Sequence, residues 1–195
     1  MNDACEAARG AMAVILGLDA EVVEAMVKEV NLPNDLWAAN YNCPGQVVIS
    51  GTPKGIEAGS IAAKAKGAKR VLPLPVHGAF HSGLMKLAED RLSVYIENAS
   101  LKESGVELVM NVTGAPVLNT KEIRLNLIKQ VTQAVRWEQG IRYMMKAGVE
   151  MFVELGCGKA LSGFNKRIGV TAPCISLENI KDIAILEEQL KLGTS

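Results

Sequence analysis

The sequence has no excess charge of either sign. Lys+Arg and Asp+Glu both number 21 among 195 residues, so no field reaches toward a polyanion and no nucleic acid partner is expected. No apolar run approaches the roughly 20 residues that span a bilayer. The first ten residues, Met1 to Gly10, hold acids where a secretory signal would hold basic residues ahead of an apolar core. No membrane partner is therefore expected, and a cytoplasmic location is. Cysteine is sparse and scattered: Cys5, Cys43, Cys157 and Cys174 form no CxxC pair. That pattern suggests neither a zinc site nor a dense disulfide framework and leaves reduced thiols as the expected state. Histidine is scarcer still. The whole chain has two, His77 and His81, in one short segment.

What is present is ordinary globular material, 49% hydrophobic and 22% charged, enough for one medium domain or a core with a small inserted module. Gly10 to Leu18 is a small-residue and β-branched run that reads as a buried strand. Asp19 caps a helix through about Asn31, with Val22, Val23, Met26, Val27 and Val30 along one face. Leu36 to Asn42 and Gln46 to Gly51 read as strands around the turn at Cys43, Pro44 and Gly45. Pro53 opens an alanine-rich helix from about Lys54 to Lys66, and Arg70 to Val76 is a further strand that ends in the histidine loop. The order β-α-β-β-α-β predicts a ferredoxin-like module over residues 10–76.

The remainder, residues 77–195, changes character. Met85 to Ala99 has the spacing of a long amphipathic helix with Leu87, Leu92, Tyr95 and Ile96 inward. A strand at Glu107 to Val112, a turn at Gly114 to Pro116, and helices at about Lys121 to Thr132 and Trp137 to Ala147 follow. The apolar strand Glu150 to Leu155 leads through a Gly156 to Gly158 turn into a helix from Lys159 to Ile168. A strand at Pro173 to Leu177 and a helix at Ile180 to Leu192 close the chain. Strands alternating with helices imply an α/β fold with a parallel sheet. So few strands would leave an open edge, so this half is expected to be one side of a larger sheet.

The segment Val76-His77-Gly78-Ala79-Phe80-His81-Ser82-Gly83 sets two imidazoles on a loop between a buried strand and a long helix. An imidazole held there can take a proton from a hydroxyl nucleophile and return it to a leaving thiol. The same placement suits a histidine that caps a helix or bonds the backbone. HxxxH is also metal-ligand spacing, but only on a helix with a third ligand, and neither condition is evident.

Several motifs in register carry a more specific signal. They are Gly10-Ala11-Met12-Ala13-Val14-Ile15-Leu16-Gly17-Leu18, Asn42-Cys43-Pro44-Gly45-Gln46-Val47-Val48-Ile49-Ser50-Gly51, Ala79-Phe80-His81-Ser82 with Leu84-Met85, Asn111-Val112-Thr113-Gly114, Val135-Arg136-Trp137 and Glu154-Leu155-Gly156-Cys157-Gly158-Lys159. In this order the chain resembles malonyl-CoA:acyl-carrier-protein transacylases along nearly its whole length. The resemblance implies the later part of an α/β-hydrolase-like core with an inserted ferredoxin-like subdomain. It also implies a ping-pong transfer of malonyl from malonyl-CoA to the phosphopantetheine thiol of acyl carrier protein through an acyl-serine. By the same resemblance His81 is the base and Gln130 orients it through its main-chain carbonyl, in place of a triad carboxylate. Asn40 and Asn42 line the cleft as substrate contacts, although Asn42 before Pro44-Gly45 equally suits an Asx-turn. No metal or organic cofactor is implied beyond the two substrates, and Ala79-Phe80-His81 resembles the malonyl-specific pattern.

The departures matter as much. His77 stands where the family has a small serine, Gly83 where proline is common, and Ala134 replaces a proline. His77 is expected to face solvent. No GxSxG elbow occurs anywhere, and the family's carboxylate-binding arginine and oxyanion loop precede the matched segment. The expectation is a chain lacking the N-terminal part, inactive alone because its base has no serine to serve. Two other readings stand beside it: a noncatalytic binding module acting through the ferredoxin-like half, and a thiol enzyme pairing Cys43 with His81, although nothing near Cys43 in sequence lowers its pKa.

Overall fold

The structure is a computed structural model that describes residues 1–192. It divides into two compact units, Met1–Gly140 and Ile141–Ser195. The first opens with a short helix α1 (Asn2–Ala7), followed by β1 (Ala11–Leu16), α2 (Ala20–Val30), β2 (Leu36–Cys43), β3 (Gln46–Gly51), α3 (Pro53–Ala65) and β4 (Arg70–Pro73). The four strands form one sheet in the order β2-β3-β1-β4, with every neighbouring pair antiparallel.

The unbroken apolar run of β1 has a physical reason. Ala13 and Ile15 point into a core with Val23, Met26, Leu36, Val47 and Ile49, whereas Met12 and Val14 point the other way, against Ala39, Val48 and Phe80. A strand covered on both faces has no polar side to show. Ile15, Met26 and Ile49 are completely buried, so truncating any one to alanine should cost about 2–5 kcal/mol. The helices start where their caps place them: the Thr52 hydroxyl accepts from Gly55 N at 3.1 Å, with Pro53 in the first turn.

After the histidine loop come α4 (Lys86–Asn98), the hairpin β5 (Leu108–Met110) and β6 (Ala115–Val117), α5 (Thr120–Lys129) and α6 (Trp137–Lys146). Two expectations are corrected here. The helix expected to reach Thr132 closes at Lys129. In α4, Leu87 and Leu92 are each 40% exposed and Tyr95 is 77% exposed. The periodicity was real, but that stripe lines an apolar cavity of about 320 Å³ with Met1, Ala4 and Val131 and is not packed in a core.

The second unit contains β7 (Phe152–Leu155), α7 (Ala160–Ile168), β8 (Cys174–Leu177) and α8 (Ile183–Leu192). Its two strands pair in parallel, Phe152 opposite Cys174 through Leu155 opposite Leu177, with α7 as the crossover. Val153 and Leu155 are exposed. No described helix is long and apolar enough to cross a membrane.

Candidate functional site

The histidine loop is locked by small residues and one buried hydroxyl. A Cβ on Gly10 would lie 2.4 Å from the Ala79 Cβ, so only glycine lets the start of β1 pass this close to the loop. Ser82 is fully buried. Its Oγ donates to the Ala79 carbonyl at 2.5 Å and accepts from Leu84 N at 3.3 Å. Gly83, where the resemblance expects proline, lies under Trp37, whose ring would be 2.8 Å from an added Cβ. Between these anchors His81 takes φ 57°, a left-handed conformation rare outside glycine. Such a conformation persists only where the surroundings over-determine it.

The surroundings are the turn that follows α5. Because that helix closes at Lys129, the next carbonyls lack intrahelical partners. His81 Nδ1 lies 2.8 Å from the Gln130 carbonyl oxygen and 3.2 Å from that of Gln133. A carbonyl only accepts, so Nδ1 carries the proton and the lone pair of the neutral ring sits on Nε2. His81 is half-buried. Sequence reasoning paired His81 with Gln130 but missed Gln133, and no side-chain signal announces a main-chain oxygen.

The turn is held from both ends. Val135 N donates to the Ala39 carbonyl at 2.8 Å and Tyr41 N donates to the Val135 carbonyl at 2.8 Å, a parallel bridge facing Asn40. This ties the strand bearing Asn40 and Asn42 to the turn that holds the imidazole. Asn40 and Asn42 are half-buried, and the chain shifts register between Ala38 and Asn40 and again between Tyr41 and Cys43. Neither asparagine side chain makes a hydrogen bond among the described residues, so no Asx-turn uses Asn42. Arg136 stacks over the Tyr41 ring at 5.3 Å. Burial, then a hydrogen bond with Glu24, pushes the Tyr41 phenol well above its ordinary pKa.

At the other end, the Thr132 hydroxyl donates to Glu89 Oε2 on α4, and Glu89 also accepts from Lys86 Nζ at 2.5 Å. Cys43 is buried with its Sγ 3.9 Å from Gln46 Oε1, which is no setting for an accessible thiolate. His77 is exposed and lines an open cavity of about 970 Å³ with Cys5, Arg9 and Phe80. No cluster of three or more metal-ligating side chains occurs among the described residues.

In the second unit, the glycine turn after Glu154 is organised by that carboxylate. Glu154 accepts from Leu161 N at 3.0 Å, from Ser162 N at 2.9 Å and Oγ at 2.7 Å, and from Ser176 Oγ at 3.2 Å. Burial acts to raise its pKa, but these hydrogen bonds outweigh it and hold the carboxyl below the ordinary range. The group caps the first turn of α7, a structural task.

No protein-family model matches the chain. Individual proteins do. It is 40% identical to the malonyl CoA-acyl carrier protein transacylase of Bacillus subtilis over 192 residues, 98% of this chain and 61% of that protein. The crystal structure of the malonyl transacylase MCAT from Streptococcus pneumoniae superposes with a TM-score of 0.90 at 33% identity, covering 97% of this chain and 62% of that one. A malonyl-transacylase solved in complex with its holo type II polyketide acyl-carrier protein gives a TM-score of 0.86 at 34% identity, over 95% of this chain and 62% of that one. The chain thus has an α/β fold and spans about three fifths of the length of these relatives. With sequence and fold in agreement along nearly every residue, this chain is a relative of the malonyl CoA-acyl carrier protein transacylases.

Proposed function

We propose that this chain is the base-bearing portion of an acyl carrier protein S-malonyltransferase, and that residues 10–76 are a ferredoxin-like subdomain inserted in an α/β-hydrolase-like core continued by residues 77–195. The observation that carries the reading is the hydrogen bond of His81 Nδ1 to the Gln130 carbonyl at 2.8 Å, which leaves Nε2 as the proton acceptor. Asn40 and Asn42, with free amides beside the turn, serve as substrate contacts.

The chemistry needs a serine from a segment outside this sequence. Nε2 takes the serine hydroxyl proton as Oγ attacks the thioester carbonyl of malonyl-CoA. The imidazolium then returns that proton to the departing CoA thiolate, leaving malonyl-serine. In the second half Nε2 takes the proton of the acyl carrier protein's phosphopantetheine thiol, the thiolate displaces the serine oxygen, and the proton returns to Oγ. Both substrates belong to the fatty-acid pathway of the cytoplasm, and the reaction uses no further cofactor.

The test is a malonyl-transfer assay with malonyl-CoA and holo acyl carrier protein. The chain alone should give no transfer, and joining the unmatched segment of the Bacillus subtilis relative ahead of Met1 should give it. Transfer by the unextended chain would refute the serine mechanism.

A further inference from the structure

Glu89 lies on a different element from His81 and touches neither the imidazole nor the carbonyls that hold it, yet it anchors the turn between those carbonyls. Only 9% exposed, it accepts the Thr132 hydroxyl. Thr132 sits in the sequence Gln130-Val131-Thr132-Gln133, between the two residues whose carbonyls face His81 Nδ1 at 2.8 and 3.2 Å. Main-chain bonds tie the turn to the end of α5, Val131 N to the Ile128 carbonyl at 3.3 Å and Thr132 N and Gln133 N to the Lys129 carbonyl at 3.1 and 2.9 Å. The Thr132 hydroxyl also lies 3.4 Å from the Lys129 carbonyl, and Val135 bridges the far end to β2. Val131 shares a buried cluster with Met85 and Ala88, and the Glu89 contact adds a polar tie between the same turn and α4. The α4 helix begins at Lys86, right after that loop, and Ser82 and Met85 are fully buried beneath it. A carboxylate on α4 that grips Thr132 therefore ties the turn to the element that carries the loop.

Charge arranges this further. A buried carboxylate needs partners, and Glu89 has Lys86 Nζ at 2.5 Å as well as Thr132, while Asp90 takes the same ammonium at 2.9 Å. The Thr132 hydroxyl therefore bonds a carboxylate that is ion-paired with Lys86, and hydrogen bonds to charged acceptors are roughly twice as strong as neutral ones.

We propose that Glu89 is a positioning residue for His81: through the Thr132 hydroxyl it holds the Gln130 and Gln133 carbonyls against Nδ1 and so keeps the lone pair on Nε2. The proposal rests on the reading of His81 as base, but its test needs no catalysis. In the full chain, ¹⁵N NMR of the His81 ring should show the Nδ1-protonated tautomer with a slowly exchanging proton. Thr132→Val, which keeps the shape and removes the hydroxyl, should mix the tautomers and speed Nδ1–H exchange at least tenfold; Thr132→Ser should restore both. Glu89→Gln, which keeps volume and an acceptor oxygen but no charge, should speed exchange at least threefold, and it carries the test if Thr132→Val does not fold. Exchange within twofold of the unmodified chain in every folded variant, even with a lowered melting temperature, would reduce Glu89 to a structural residue and overturn the proposal. A shifted tautomer alongside a fused, complete chain that transfers no malonyl would leave the positioning role standing and sink the transferase reading.

Discussion

At position 81 backbone and side chain make separate demands. The left-handed φ of 57° is open to asparagine as well as glycine, so His81→Asn should keep the loop and remove the base. In the complete, fused chain that substitution should lower kcat/KM by about 10²–10⁴, the range for losing a general base, with little change in melting temperature. Gln130→Ala should stay within about threefold of the parent, because the acceptor at 2.8 Å is the main-chain oxygen, which alanine retains. A large loss on Gln130→Ala in the same steady-state assay would show that the side chain takes part. His77 and Cys43 illustrate the opposite case: both are chemically able, but one is exposed and the other is sealed in the sheet.

Among the elements, the β7-α7 junction has a clear pH signature. The folded pKa of Glu154 is depressed, so its contribution to stability is fully present above the unfolded value of about 4.3 and is lost as pH falls through the lower folded value. In the unmodified chain, amide exchange protection at Leu161 and Ser162 should fall as pH drops below about 4.3. Glu154→Gln should be less protected at pH 7 and show a flatter acid limb, since its amide nitrogen cannot accept the bonds that one carboxylate oxygen now takes. Equal acid limbs in the two proteins would remove the carboxylate from this role. The end of α5 shows why element boundaries were the least legible feature. Apolar spacing continues through Ile128 and Val131, so periodicity carries the helix to Thr132. The structure stops at Lys129 because the Gln130 and Gln133 carbonyls bond to His81 and Val135 bonds to Ala39.

Across the whole molecule, the stripe of α4 is the largest departure from expectation. Leu87, Leu92 and Tyr95 border an apolar cavity, yet the described residues leave them open to water, and such a patch binds hydrophobic probes. Leu92→Asp with Tyr95→Asp should therefore reduce anilinonaphthalene sulfonate fluorescence at least twofold while changing stability by less than about 1 kcal/mol, because exposed positions carry little packing energy. Dye binding unchanged by the double substitution would mean that the stripe is already covered. The amphipathic spacing was readable in sequence, but which surface, if any, receives it was not, since a helix's periodicity fixes a face and not a partner.

The sequence by itself determined the order of elements along the first half of the chain, the burial of the strand over Met12 to Ile15, and the want of a GxSxG serine; the pairing of His81 with position 130 was only what a resemblance implied. The first three follow from side-chain identity and spacing, which are written residue by residue. Only the tertiary structure decided that a second carbonyl, Gln133, shares the Nδ1 proton, that Glu89 grips the turn through Thr132, and that Asn40 is bridged to Val135. These contacts join main-chain groups or side chains more than 40 residues apart. A peptide oxygen looks the same at every position until folding gives it a neighbour.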